Sequence, residues 1–362
     1  MSETRTPIKS LSLEEIEVRL RAAGEPAYRG KQVTDWIYGK RVNAFDGMSN
    51  LPAALRKTLG EEFVFDRLEP IRVLGSEDTT RKYLFRLADG ALIESVLIPA
   101  SPALYGEASD RRTLCISTQV GCAYGCKFCA SGLDGWSRNL GAGEIVDQIL
   151  RVEEHSGERI SNIVFMGMGE PLANYANVLQ AIRVLHDPKG LNISARKITL
   201  STVGVPKRMR ELAEEELPLN LAISLHAPSE QLRRQLIPWA EHFSIDEILD
   251  AATYYFHKTG REITFEYILL SGVNDRPEHA HQLAAVCRSM RANVNLLRYN
   301  EVESLPYKRP QGDAVMQFQS ILRSAGVNAH VRKSRGRDIA AACGQLRRRE
   351  NQASEQLVQI GQ

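Results

Sequence analysis

From Arg112 onward the chain alternates strand-like apolar runs with amphipathic helical segments, and this alternation limits its fold more than any other feature. Strand patterns cover 112–118, 160–166, 196–202, 219–225, 262–269, 293–298 and 327–332. Helical patterns fill 143–155, 174–186, 205–215, 244–258, 277–290 and 313–324. Repeated βα units joined by right-handed crossovers build a parallel sheet, either open or rolled into a barrel. In a rolled sheet the reactive groups sit just beyond the C-terminal ends of the strands. The side chains that stand out fall there: Cys122 to Cys129 after the first strand, Gly167 to Pro171 after the second, Ser201 ending the third. Ser224-Leu-His226 ends the fourth, and Tyr299-Asn300 follows the sixth. Their coincidence at one rim favours a partial (β/α)6 barrel. No internal repeat or low-complexity tract interrupts it.

Ahead of the barrel, residues 12–59 read as short helices. Leu13, Ile16, Val18 and Leu20 mark an amphipathic first segment, and Tyr28 to Tyr38 a second. Leu51-Pro52 opens a third, with proline at a favourable N-terminal position. The period then changes to two: Lys82 to Arg86 and Ala91 to Ile98 alternate around Asp89-Gly90, a hairpin signal. The expected division is a helical accessory domain over 1–70, a β-hairpin extension and linker over 71–110, the barrel over 111–349, and a tail over 350–362.

Composition adds bounds. A chain of 362 residues can bury a substantial core, and 43% hydrophobic with 25% charged residues is ordinary for a globular protein. The polar start, Met1 to Lys9, lacks the apolar stretch of a signal peptide, and no run approaches the ~20 apolar residues of a membrane span. Six cysteines are too few and too unevenly placed for a disulfide scaffold, so a cytoplasmic, reducing setting is expected. The net charge of +2 hides an asymmetry: between Arg298 and Arg349 stand 11 Lys or Arg against 4 Asp or Glu. Such a surface either grips a phosphate backbone or is merely solvated.

Cys122, Cys126 and Cys129 are spaced C-x3-C-x2-C in Val120-Gly-Cys-Ala-Tyr-Gly-Cys-Lys-Phe-Cys129. A 4Fe-4S cube commonly takes four thiolates. A tight loop that supplies three holds the cube and leaves one iron open to chelate a small molecule, such as the amino and carboxylate groups of S-adenosylmethionine. A structural zinc site competes with this reading, but zinc takes four ligands, often as two C-x2-C pairs, and no second pair or nearby histidine follows. After the next strand, Val164-Phe-Met-Gly-Met-Gly-Glu-Pro-Leu172 combines a glycine turn, which lets backbone approach a ligand, with an acid that can accept hydrogen bonds from an amino group.

The combination of GCAYGCKFC, FMGMGEPL, LSTVGV, SLHAP, LRYN and the cysteine-bearing CGQL segment, in that order, resembles the RlmN/Cfr family of radical S-adenosylmethionine (radical SAM) RNA methyltransferases. The resemblance spans essentially the whole chain, including Gly24-Glu-Pro-Ala-Tyr-Arg-Gly-Lys-Gln32 in the helical N-terminus. Ser137-Arg-Asn-Leu140, Trp36-Ile-Tyr38 and Val331-Arg-Lys-Ser-Arg-Gly336 follow the RlmN branch. It implies methylation of carbon 2 of an adenosine in 23S ribosomal RNA and in transfer RNA, with carbon 8 as the Cfr-type alternative. It also implies an electron donor such as flavodoxin or ferredoxin, an RNA-binding role for the helical N-terminus, a monomer, and no membrane.

Carbon 2 of adenine lies between two ring nitrogens and is too electron-poor to attack a sulfonium methyl. The family's route implies two S-adenosylmethionine molecules per turnover: one methylates a cysteine, and the other, on the 4Fe-4S cluster, yields a 5′-deoxyadenosyl radical that activates the S-methyl group. By residue-wise match Cys343 carries the methyl and Cys115 releases the RNA adduct through a transient disulfide. Glu94 matches a proton acceptor, and Gly169, Glu170, Ser201, Ser224, Leu225, His226 and Asn300 match S-adenosylmethionine contacts. Cys122, Cys126 and Cys129 match the cluster ligands. Taken singly, Cys115 and Cys343 read as small buried hydrophobes, Ser201 and His226 as structural polars, and Glu94 as an outward-facing strand residue. Cys287 matches nothing functional and reads as core. Two departures stand out: a long stretch between Ile98-Pro99 and Cys115, and Ala340 where the family often has an acid.

Overall fold

The computed structural model describes residues 5–100, 110–288, 290, 292–302 and 304–339. Its N-terminal part consists of helices Leu13–Ala22, Tyr28–Thr34 (continuing as a π-helical turn, Asp35–Gly39) and Ala53–Glu62, closed by a two-residue parallel pair, β1 (Thr6–Pro7) and β2 (Phe63–Val64). The first helix starts at a capping box in which Ser12 accepts from the Glu15 amide and Glu15 accepts from the Ser12 amide. It buries Ile16 and Leu20, whereas Val18, expected on the apolar face, is exposed. Pro52 caps the third helix from outside, one residue earlier than its sequence position suggested.

A ten-stranded sheet follows. In chain order its strands are β3 (Glu69–Gly75), β4 (Arg81–Arg86), β5 (Leu92–Pro99) and β6 (Arg112–Cys115), then, after a small ribbon of β7 (Gln119–Gly121) and β8 (Trp136–Asn139), β9 (Asn162–Phe165), β10 (Ile198–Thr202), β11 (Asn220–Ser224), β12 (Ile263–Leu269), β13 (Ala292–Arg298) and β14 (Asn328–Arg332). From β6 to β14 every neighbouring pair is parallel, giving six βα units and a closing seventh strand. β3, β4 and β5 extend the sheet antiparallel beyond β6. β3 escaped the sequence pattern because Pro70 stands at a bulge and the strand is largely exposed, as an edge strand tolerates.

The sheet is curled. Ten flat strands would hold their edges on the order of 40 Å apart. Instead the β3–β4 turn meets the segment that follows β14: the Ser76 hydroxyl donates to Asp338 at 2.5 Å, and the Gly336 amide donates to Asp78 at 2.9 Å. Strand alternation then sorts the side chains. Tyr83, Phe85, Ile93, Leu97, Leu114, Ile163 and Phe165 face the helices and join the main core. The opposite face, toward the lumen, carries Lys82, Glu94, Cys115, Ser201, Ser224 and Glu266. The helices Ala142–Ser156, Tyr175–His186, Pro206–Ala213, Ile245–Thr259, Pro277–Arg288 and Gly312–Ser324 cover the outer face. Cys287 is buried there, as its helical pattern predicted.

The helical N-terminus is fastened to the barrel by a buried ion pair. The Lys9 ammonium meets Asp147 at 2.5 Å and donates to the Asp66 carbonyl at 2.8 Å, while Asp147 also accepts from the Leu68 amide. Burial pulls the Lys9 pKa down, and Asp147 opposes that shift. Asp147→Ala would strand the ammonium in the core, and a loss of about 3–5 kcal/mol is expected. Thermal unfolding should show a midpoint several degrees lower, and pairing Lys9→Met with Asp147→Leu should restore most of it.

Candidate active site

The three-cysteine loop runs from β7 into the short helix Ala130–Leu133 at the C-terminal rim of the sheet. Backbone bonds pin it along its length: the Cys122 amide donates to the Gly135 carbonyl at 2.8 Å, Lys127 to Leu236 at 2.9 Å, and Cys129 to Cys126 at 3.1 Å. Gly121 leaves β7 with φ +76°, and a Cβ there would lie 1.9 Å from the Gly135 carbonyl oxygen, so glycine is required. Phe128 is buried and packs edge-on against His226, with ring centroids 4.9 Å apart.

The cysteines are in the thiol form, outside any disulfide, and half-buried. Burial pushes the Cys122 thiol up to about 12 and Cys126 well above its ordinary value. Charge on Cys129 opposes ionisation of both, so the three sulfurs crowd one another electrostatically. Only a strongly cationic guest would make three thiolates stable together there, which is what cluster iron supplies. The buried Arg233 acts in the same direction on Cys126. Nearby, Arg233 Nε, Ser131 Oγ and Trp239 Nε1 are buried without a hydrogen-bond partner. Among the described residues, no three His, Cys, Asp or Glu converge as ligands of a single metal ion.

Glu170 lies at the end of β9 beyond the turn Gly167–Gly169. Gly169 has φ +98°, and a Cβ would sit 2.5 Å from the Gln119 side chain. The Glu170 carboxylate accepts from the Leu172 and Val203 amides, each at 2.9 Å. Burial still raises its pKa to about 7, with those amides pulling the other way. On the next strands Ser201 and Ser224 come together, hydroxyl to hydroxyl, at 3.4 Å. His226 follows in a left-handed conformation, φ +57°, with Nδ1 accepting from the Ile268 amide at 3.1 Å. Burial and the Arg233 charge lower its pKa to about 3, so the ring is neutral at physiological pH. Leu225 points into the main core and offers the rim only its backbone. Asn300, after β13, accepts from Arg309 at 3.1 Å.

Glu94 is buried rather than outward-facing, because the outer side of its hairpin is the lumen of the curled sheet. It forms an ion pair with Lys82 at 3.3 Å, with both side chains at most 4% exposed. Cys115 stands on the same inner face, paired in register with Val96, which in turn pairs with Lys82. Its thiol is pushed up to about 12 by burial. Cys343 and Ala340 lie outside the described residues, as do Arg347 to Arg349 and most of the long stretch after Pro99. Sequence reasoning missed Lys82, Arg233 and Glu266. In Arg81-Lys-Tyr-Leu-Phe-Arg86 the aromatic residues mark one face as core, so Lys82 reads as solvated until the other face is known to be a lumen.

Curled sheet, thiol loop and adjoining buried acid together define a radical SAM enzyme, and residues 116–284 match the Radical SAM superfamily. Residues 7–64 match the ribosomal RNA large subunit methyltransferase N-terminal domain. A probable dual-specificity RNA methyltransferase RlmN of Symbiobacterium thermophilum is 50% identical over 95% of this chain and 92% of its own length. Its counterpart in Rhodopirellula baltica is 48% identical over 93% and 89%. The crystal structure of a radical SAM methyltransferase from Sphaerobacter thermophilus superposes with a TM-score of 0.87 at 42% identity, covering 94% of this chain and 98% of that one. The chain belongs to the RlmN family of radical SAM RNA methyltransferases. Membership implies a 4Fe-4S cluster and S-adenosylmethionine. Among the described residues no helix is long and apolar enough to cross a membrane.

Proposed function

We propose that this protein methylates carbon 2 of an adenosine in 23S ribosomal RNA, and of one in transfer RNA, through a methylated cysteine and a transient protein–RNA adduct. The observation that carries the reading is the polar lumen: Glu94 and Cys115 share the inner face of the sheet whose rim bears the three-thiol loop and Glu170. Cys122, Cys126 and Cys129 would hold the 4Fe-4S cluster, leaving one iron open. The cluster and its bound S-adenosylmethionine supply the carbon radical.

The protein's own groups do the rest. Gly169 and Glu170 receive the amino group of S-adenosylmethionine, and Ser201, Ser224, the backbone at Leu225, His226 and Asn300 orient the remainder of the molecule. Cys343 takes a methyl group from a first S-adenosylmethionine by displacement, and a second provides the radical. Glu94 accepts the ring proton. The redox chemistry that the 4Fe-4S cluster would supply includes taking up the unpaired electron of the ring adduct; the Cys115 thiolate then attacks the Cys343 sulfur. The S–S bond forms, the S–C bond breaks, and the departing carbon takes the electron pair and a proton to become the methyl group. A flavodoxin- or ferredoxin-like donor supplies electrons, and the enzyme works as a monomer in the cytoplasm.

The helical N-terminus over 1–70 and the basic C-terminal stretch of the 111–349 barrel grip the RNA by phosphate contacts, with the 71–110 hairpin between them. Burial lowers the pKa of Arg309 and repulsion from Arg337 and Arg298 adds to it, so three guanidinium groups lie within each other's field near Asn300, where a phosphate would relieve them. The target base must leave its stack to reach the lumen.

The Glu170 assignment has a direct test. A carboxyl with a pKa near 7 is half protonated at that pH, and only its ionised form attracts an ammonium group. Affinity for S-adenosylmethionine should therefore weaken as pH falls through about 7. Glu170→Gln should bind about tenfold or more weakly at higher pH and lose that dependence. Equilibrium binding to the reconstituted protein across pH checks both, and a Glu170→Gln protein with wild-type affinity would remove the residue from the site.

A further inference from the structure

Lys82 is a buried lysine for which the reaction outlined above has no use. It lies on β4 with its side chain 1% exposed, facing the lumen rather than solvent. Its ammonium is 3.3 Å from the Glu94 carboxylate. Across the sheet, Lys82 pairs with Val96 and Val96 pairs with Cys115. Two strand spacings, roughly 10 Å of backbone, separate Lys82 from Cys115, a distance a lysine stem can largely span. Glu94 sits two residues before Val96 on the same face, so the three groups form a compact triangle on β4, β5 and β6.

The backbone around this triangle is fixed. The Ser117 hydroxyl donates to the Glu94 carbonyl at 2.6 Å, tying β5 to the loop after β6. Arg138 joins the hairpin turn at Asp89, 2.6 Å away, to Glu144 through two bonds of 2.8 Å. Glu94 and Lys82 act in opposite directions on the Cys115 thiol: the carboxylate disfavours the thiolate and the ammonium favours it. One cation is thus shared between two groups that must be anionic at different moments.

We infer that Lys82 is a positioning residue that couples the two late steps of the reaction, pairing with the Glu94 carboxylate until it takes the ring proton and then serving as counter-ion for the Cys115 thiolate. The charge balance is simple. Glu94 starts as a carboxylate paired with Lys82 and becomes a neutral acid by accepting the proton from the adenine carbon. Cys115 then gives its thiol proton to water in the lumen, and its thiolate replaces the carboxylate as the partner of the ammonium. Within the triangle, the ammonium pairs first with the Glu94 carboxylate and then with the Cys115 thiolate. In a low-dielectric lumen a charge left without its partner is costly, which favours this exchange. Release of the adduct would therefore wait for deprotonation of the ring.

This inference rests on the proposed roles of Glu94 and Cys115, but its test needs no RNA. The rate of Cys115 alkylation by iodoacetamide, read by peptide mass spectrometry on the reconstituted holoenzyme, reports thiolate formation. Glu94→Gln, which mimics the protonated acid, should speed alkylation about tenfold, the factor of one pKa unit. Lys82→Met combined with Glu94→Gln should abolish that gain, and Lys82→Arg with Glu94→Gln should retain most of it. The double variants leave no unpaired carboxylate behind, so they fold even if Lys82→Met alone does not. If Glu94→Gln speeds alkylation equally with and without Lys82, or leaves it unchanged, the coupling does not exist. Cys115→Ala with RNA separates the two claims: coupling without a trapped adduct would discard the roles given to Cys115 and Glu94 and keep the shared cation.

Discussion

Replacing Cys122, Cys126 or Cys129 singly with Ala is expected to abolish reductive cleavage of S-adenosylmethionine. With three thiolates per cube no ligand is redundant, and the loop has no spare cysteine within reach. Burial keeps the Cys122 and Cys126 thiols protonated in the apoprotein, so removing one takes away no charge and the apoprotein should fold much as wild type does. After anaerobic reconstitution, each variant should hold much less iron and sulfide and form no 5′-deoxyadenosine. Its thermal midpoint as apoprotein should stay close to that of wild type. Wild-type iron content in any of the three would remove that residue from the ligand set. Cys287→Ala is the control: it lies in the core on the helix-covered face of the sheet and should leave the cluster intact.

Cys115→Ala should give the second large effect, a protein that attacks RNA but cannot let go. On the proposed route the adduct forms through Cys343 and only its release needs Cys115, so turnover should fall to nearly nothing while a covalent protein–RNA species accumulates. A gel under denaturing conditions resolves it. Cys343→Ala should form no adduct, and the Cys115 and Cys343 double variant should behave like Cys343→Ala. The Cys115 thiol is held at about 12 by burial, so its thiolate is scarce at neutral pH and needs help to form. Release in the wild type should therefore quicken with rising pH, whereas adduct formation through Cys343 should not follow the same curve. Absence of any adduct in Cys115→Ala would refute the two-cysteine route.

Much of this was legible in the sequence, for identifiable physical reasons. The βα alternation recovers the seven parallel strands and six covering helices because each helix buries one stripe on the sheet, which leaves a strong period. The helix Glu230–Leu236 and the β7–β8 ribbon were not legible; they span two turns or fewer and a handful of residues, too short for a period to show. The cluster loop and the acid at Glu170 are local motifs, readable wherever they occur. The lumen is different. Whether Lys82 and Glu94 face water or the site depends on the sheet curling, and no local pattern carries that information. Alternation placed them correctly on the face opposite Tyr83 and Ile93, but gave no sign that this face was closed. Arg233 was hidden for a similar reason: it is a long polar side chain on a short helix, buried only because that helix folds against the cysteine loop.

The central claim is best tested on the modified base. The anaerobically reconstituted protein is incubated with a 23S ribosomal RNA fragment, a reductant and methyl-labelled S-adenosylmethionine, and the RNA is digested to nucleosides for mass spectrometry. The predicted result is labelled 2-methyladenosine together with 5′-deoxyadenosine. 8-Methyladenosine would contradict the regiochemistry, and 5′-deoxyadenosine without any methylated adenosine would contradict the substrate.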